Sequence, residues 1–437
     1  MMSFLRRPTS VRLALALVLA APAPMVMAGV QDAAPAFPER VIVNLTAEPA
    51  TSLAFTWRTP RDAAGQGFIE YAPLGPGPDF ARHAVRLPAQ REAADFVTRD
   101  DGPVSADYYS VVLSGLTPSA EYAYRVGREG AWSPWRRTRT AEATNAPFVF
   151  LYLGDVQNDI RSMGGLAVRR ALSETPDAAF VLYTGDLINR ADNDVEWGEW
   201  FGMAVDAHAS LPSLMTPGNH EYSRPAEGAE QQLAPQWRRQ FTLPANGPAP
   251  NVMETAYRVD HQGVRLIALD ADMFDESPSA AQAQLAWLER ELAGAGDRWK
   301  VVFLHYPLYS TARGRDSEDL RAALQPILDR HHVALVLAGH DHTYGRGRPH
   351  AQGPVYMVSN VGPKQYVLGD IDWAERRGSG IQVYQRVEVT PQSLTVRAYT
   401  QDGELYDAFR LDRDGRGPAA LTDMRPDRPE LLLKTEN

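Results

Sequence analysis

Five apolar runs between residues 148 and 340 constrain the fold more than any other feature of the chain. FVFLYLGD (148–155), AFVLYTGD (179–186), RLIALDAD (265–272), KVVFLHYP (300–307) and VALVLAGH (333–340) have the length and β-branched or aromatic content of buried strands. Helical stretches alternate with them. The clearest is SAAQAQLAWLERELAG, which places Leu285, Leu288 and Leu292 on one face. This alternation predicts a layered α/β (α+β) domain over about residues 147–410. Four of the five runs end directly in Gly-Asp, His or Gly-His. Layered folds place ligand sites at the carboxyl ends of strands, because the strand fixes the backbone while the following loop presents side chains.

Residues 38–142 carry a different period. Leu53, Phe55 and Trp57 alternate in SLAFTWRT, Tyr109, Val111 and Leu113 alternate in DYYSVVL, and Pro/Gly-rich stretches such as APLGPGPDF punctuate the runs. An all-β sandwich is expected there. Its LTPSAEYAYRVG segment (116–127) resembles the corner of a fibronectin type III domain, with Leu116, Pro118 and a Tyr122 that hydrogen-bonds back to the backbone. Residues 1–28 read as an export signal: Arg6, Arg7 and Arg12 precede an apolar run from Leu13 to Ala21, and Val26-Met27-Ala28 offers cleavage after Ala28. Broken by Pro22 and Pro24, that run is too short to span a bilayer, so a periplasmic or secreted protein without a transmembrane anchor is expected. Residues 415–437 lack any period and read as a mobile tail.

Composition narrows the chemistry. There is no Cys, which excludes disulfides, thiolate metal sites, iron–sulfur clusters and a cysteine nucleophile. A net charge of −10 argues against binding to a nucleic-acid backbone. Any metal must be held by oxygen donors and imidazoles. Five segments carry them: GDVQND (154–159), GDLINR (185–190), GNHEY (218–222), HYP (305–307) and GHDH (339–342). No single segment is decisive, but their order, spacing and shared position at strand ends are.

On these motifs, and with its fibronectin-like leading domain, the chain resembles the metallophosphoesterase superfamily, purple acid phosphatases in particular. The resemblance implies that Asp155 and His342 hold a first metal ion, that Asp186 bridges two, and that Asn219, His305 and His340 complete the second site. It also places Asn219 and His220 beside a bound phosphate. The residue chemistry agrees: imidazoles with carboxylates suit Fe, Zn or Mn better than Mg or Ca. A shared carboxylate holds two cations about 3.5 to 4 Å apart, where they clamp both oxygens of an in-line displacement. Metal-bound hydroxide then attacks phosphorus, and an acid protonates the leaving alkoxide. His220 is the candidate acid. A purely positioning role for His220 is the other reading.

Two departures from the family pattern bear on the first metal. Gln157 stands where the superfamily usually has His, and Asn189 stands where purple acid phosphatases place a Tyr, three residues after the bridging Asp. Gln157 is a further candidate ligand through its amide oxygen, and water filling the position is the alternative. Tyr306, Tyr344 and Arg346 flank the last motifs and are candidate substrate contacts, while Glu221 and Asp341 are candidates for orienting the imidazoles. The ADND run (191–194) reads as a solvated loop. The expected function is an exported dinuclear phosphatase acting on small phosphate monoesters. A phosphodiesterase or nucleotide hydrolase with the same metals is the first alternative, and a non-catalytic binding protein with a degraded site is the second.

Overall fold

A computed structural model describes residues 37–61, 66–98, 102–224, 229–413, 415 and 417–433. The expected signal segment lies outside the described residues. Phe148–Leu153, Ala178–Tyr183 and Ser213–Met215 lie side by side in parallel, with Leu182 paired to both Tyr152 and Leu214. They are apolar on both faces because both faces are covered. Antiparallel strands Val383–Val389, Ser393–Thr400 and Leu405–Asp412 extend this sheet on one side. A second sheet carries Val264–Ala268, Trp299–Phe303, Leu335–Ala338 and Val355–Val358 in parallel.

The two sheets face each other across one core. Phe150, Tyr152 and Leu182 of the first meet Leu266, Val301, Phe303, Leu335 and Leu337 of the second. The alternate residues of the second sheet, Ile267, Val302 and Val336, pack on helices Pro278–Ala293 and Glu318–Arg330 through Trp287, Leu288, Leu292, Leu324 and Leu328. The longer helix starts where Pro278 follows the capping Ser277. Helices Gly165–Glu174 and Asp194–Met203 pack against the first sheet. Every parallel strand therefore directs its carboxyl end toward the same edge of the sandwich.

The expected all-β sandwich is also present. Phe55, Trp57 and Tyr109 pack against Ile69, Tyr124 and Val126 of a separate five-stranded sheet. The corner predicted from sequence forms, with the Thr117 N–H donating to the Tyr122 hydroxyl at 2.8 Å. The sandwich is nevertheless not a free-standing unit. Strand Glu39–Leu45 pairs in parallel with Ser213–Met215 through Asn44 and Ser213, so the leading strands continue the first sheet into an eleven-stranded one. Asn44 reinforces the seam: its amide donates to the Ser213 carbonyl at 3.2 Å and its oxygen accepts from the Thr242 N–H at 3.2 Å.

The structure corrects two expectations. The ADND run is not a solvated loop: Asn193 caps helix Asp194–Met203 by accepting from the Glu196 N–H, and Asp194 is buried between Arg40 and Arg58 at 2.9 Å from each. Residues 417–433 of the segment from 415 are not a loose tail either. Ala420–Asp423 adds a strand to the edge at Leu405–Asp412, Glu430 pairs with Arg377 at 2.9 Å, and Leu431 packs on the core. An open sheet edge presents unpaired backbone groups that even a four-residue strand satisfies, and four residues are too few to show a period.

Asp194 ties the leading strands to the second domain, so Asp194→Ala takes from two buried guanidinium groups the carboxylate they share, while Arg58 keeps Glu39 and Arg40 keeps the Gln240 amide oxygen. The expected cost is about 3 to 5 kcal/mol, read by denaturant unfolding. Burial opposes the Asp194 charge, but Arg40 and Arg58 outweigh it and hold the carboxyl below its usual range. The stabilisation is therefore complete above about pH 4 and fades only as pH falls through the lowered folded value. In acid, the difference between parent and Asp194→Ala should shrink.

Candidate metal centre

The strand ends turn sharply, and the turns aim the side chains. Asp155, Asp186, His340 and His342 all adopt left-handed backbone angles, with φ of 46°, 51°, 71° and 47°. Such angles strain residues other than Gly and persist where the surroundings over-determine them, as at functional sites. Gly218 allows the closest approach, since a Cβ there would collide with Asp186 Oδ1.

Two groups of donors result. Asp186, His305 and His340 form one, and Asp155, Asp186 and His342 the other, with the ligand atoms of each group within 4.8 Å of one another. Asp186 belongs to both. In the first-named group, Asn219 Oδ1 lies 3.2 Å from His305 Nε2 and 3.0 Å from His340 Nδ1, so the amide oxygen joins the cluster. His305 Nε2 is also 3.3 Å from Asp186 Oδ2. Its Nδ1–H donates to the Thr184 carbonyl at 2.8 Å, which leaves the Nε2 lone pair facing the cluster.

Gln157 stands in the other group. Its amide nitrogen lies 2.5 Å from Asp186 Oδ2 and 3.3 Å from His342 Nε2, and its oxygen is buried without a partner. Half a turn of the amide directs that oxygen at the same two residues. Asp155 Oδ2 is likewise buried without a partner. Burial drives the Asp155 carboxyl upward, assisted by the neighbouring Asp186 carboxylate. Burial also keeps His340 and His342 neutral, pressing their pKa values down to about 2 and about 3. Orphaned acceptors, crowded carboxylates and neutral imidazoles are the donor set that bound cations satisfy.

Residues 148–344 match the calcineurin-like phosphoesterase family, and residues 38–140 match the purple acid phosphatase N-terminal domain. The chain thus carries a calcineurin-like phosphoesterase domain behind a purple acid phosphatase N-terminal domain. It is 28% identical over 269 residues to an uncharacterized protein of Mycobacterium tuberculosis, covering 54% of this chain and 50% of that one. It is also 28% identical over 278 residues to purple acid phosphatase 21 of Arabidopsis thaliana, covering 61% of this chain and 58% of the relative. The chain thus spans about half the length of these curated relatives. Its fold is that of purple acid phosphatase PPD1 from yellow lupin (Lupinus luteus), with a TM-score of 0.72, 18% identity, and coverage of 87% of this chain and 75% of that one. This family implies a dinuclear metal centre, and the two donor groups sharing Asp186 are its candidates here.

The fold brings Asp155, Gln157, Asp186, Asn219, His220, His305, His340 and His342 together. His220 lies at the rim with 26% of its side chain exposed and Nε2 4.0 Å from Asp186 Oδ2. Its Nδ1 faces the Asn189 carbonyl. Tyr306 forms a wall, its ring 4.4 Å from that of His340 and its hydroxyl donating to Asp272 at 2.9 Å. Tyr344 and Arg346 are not at the site. Both are fully buried and bonded to Asp407, the hydroxyl at 2.8 Å and the guanidinium at 2.8 and 2.9 Å. Their strand, Tyr344–Gly347, runs into the sheet, so sequence proximity to GHDH did not place them in the cleft.

Glu221 and Asp341 do not orient imidazoles. Buried Glu221 accepts from the N–H groups of Asp186 (2.8 Å), Leu187 (2.8 Å), Ile188 (3.4 Å) and Gly218 (2.7 Å), and so fixes the turn that presents Asp186. Asp341 accepts from Thr311 and Ala312 and holds their loop. Sequence reading missed Arg315, which donates to the His340 carbonyl at 2.9 Å, and Tyr366, whose ring lies 4.9 Å from that of His342. Neither lies in a motif, and only loop packing brings them in. Glu221→Gln removes one acceptor oxygen from four backbone donors and loosens Asp186. Metal affinity should fall about 10- to 100-fold, measured by titration of metal-free protein.

Proposed function

We propose that this metallophosphoesterase is a dinuclear metal-dependent phosphatase hydrolysing phosphate monoesters. The observation that carries the reading is the single oxygen Asp186 Oδ2, the meeting point of His305, Gln157 and the rim residue His220. Asp155, Asp186 and His342, with Gln157, would hold one cation, and Asp186, Asn219, His305 and His340 the other. Fe, Zn or Mn suits these donors. Bound cations supply Lewis-acid charge and acidify water. The chain's own residues do the rest. Glu221 keeps Asp186 in register, and the Asn189 carbonyl fixes His220 so that Nδ1–H donates to it and Nε2 faces the cleft. Protonated Nε2 is then placed to give its proton to the departing alkoxide oxygen, while Asn219 and His220 orient the phosphoryl group.

Elemental analysis combined with nitrophenyl mono- and diester assays tests this reading. About two metal ions per chain and faster monoester turnover are expected; metal-replete protein that hydrolyses neither ester, or diesters faster, would refute it. Among the described residues no helix is long and apolar enough to cross a membrane. Export to the periplasm or medium belongs to the same proposal, resting on Arg6, Arg7 and the apolar run that follows. Intact-mass measurement of exported protein should give a chain starting at Gly29, and a secreted chain retaining residues 1–28 would contradict it.

A further inference from the structure

Two loops outside the motifs are laced together beside the metal ligands. Arg313 N–H donates to the Val367 carbonyl at 2.9 Å, Gly369 N–H donates to the Thr311 carbonyl at 2.8 Å, and Ala312 pairs with Leu368. The second loop is tied to the centre, because Tyr366 N–H donates to the His342 carbonyl at 3.2 Å. On this base the Tyr366 ring carries two cations, the Arg315 guanidinium 4.8 Å and the Lys364 ammonium 5.4 Å from its centroid. Arg313 is exposed on the same loop as Arg315. Arg315 has its partners in the His340 carbonyl and, at 3.4 Å, Asp341, but no described carboxylate pairs with Arg313 or Lys364.

A chain of net charge −10 thus keeps cations without acid partners beside a phosphoester site. The Lys364 charge is held in place by the ring and by its own backbone carbonyl, which accepts from the Asn360 amide at 2.8 Å. A free ammonium fixed near a bound phosphate, with guanidinium groups on the adjoining loop, attracts another anion of the same ligand.

Resting on the phosphatase reading above, we propose that Lys364, with Arg313 and Arg315, forms a subsite for a second anionic group. Preferred substrates are phosphate esters that carry a further phosphate or carboxylate close to the scissile phosphate. The chemistry at phosphorus is unchanged, and the subsite acts on binding.

Calorimetric titration of metal-replete protein with phosphonoacetate and with ethylphosphonate tests the subsite without turnover. The carboxylate-bearing phosphonate should bind about ten-fold tighter, the worth of one charge-assisted contact. Lys364→Met should remove most of that preference and Lys364→Arg should restore it, with metal content checked in each. In assays, the ratio of kcat/KM for phosphoglycolate to that for nitrophenyl phosphate should fall in Lys364→Met, mainly through KM. A parent protein without the phosphonate preference, or a preference that survives Lys364→Met, overturns the proposal. If the metal-replete parent hydrolyses no phosphate ester, the phosphatase reading fails, and the phosphonate titration still decides the subsite.

Discussion

Asp186→Ala should lower phosphomonoester turnover by about four orders of magnitude and deplete metal from both sites at once. No other substitution in the centre is expected to act on both. Asp186 is the only residue common to the two donor groups, and its other oxygen, Oδ1, accepts the His220 N–H at 3.0 Å. Removing the carboxylate takes a ligand from each cation, releases the rim histidine, and leaves His305 without its nearest charge. His220→Ala provides the contrast. Its imidazole belongs to neither donor group, so metal content should hold while turnover falls about 10²- to 10⁴-fold. The fall should be steepest for an alkyl phosphate, whose leaving oxygen needs a proton, and smaller for nitrophenyl phosphate, whose leaving group does not. Full activity in Asp186→Ala would refute the bridging role. An equal loss on both esters in His220→Ala would assign His220 to positioning instead.

Chelation should remove the two metals in sequence. One carboxylate, one amide and two imidazoles surround one position, where Asp186, Asn219, His305 and His340 converge. The other position has Asp155, Asp186 and His342, plus the amide of Gln157. The Asp155 position has one imidazole where the other has two, and its fourth side chain, Gln157, presents its amide nitrogen rather than its oxygen to Asp186 Oδ2, so the Asp155 site is the weaker. Mild chelation should strip it first, added metal should restore activity, and Gln157→His should tighten it. Iron-loaded protein should lack a strong purple band as well. Asn189 offers no phenolate, and the Tyr306 hydroxyl is engaged by Asp272. Concerted loss of both metals, or an intense tyrosinate band, would show this ligand count to be wrong.

The sequence alone determined the elements and the cluster of donors. Apolar runs ending in Gly-Asp, His or Gly-His are local signals: burial dictates the strand, and a strand end must turn, so Asp155, Asp186, His305 and His340 were legible as residues at loop mouths. That these residues converge also followed from chemistry, since unrelated positions rarely share metal-ligating side chains at four of five strand ends. Tertiary structure alone decided what depends on contacts between distant segments. The pairing of Asn44 with Ser213 that fuses the sheets spans 169 residues and leaves no periodic trace. Tyr344 and Arg346 follow GHDH within four residues of His342, yet their strand carries them to Asp407, because a buried guanidinium takes the carboxylate that packing supplies. The role of Glu221 depended on four N–H groups converging from two turns, and the company of Lys364, Tyr366 and Arg315 on two loops meeting. Residue type and period are properties of short windows; which windows meet is settled only when the whole core closes.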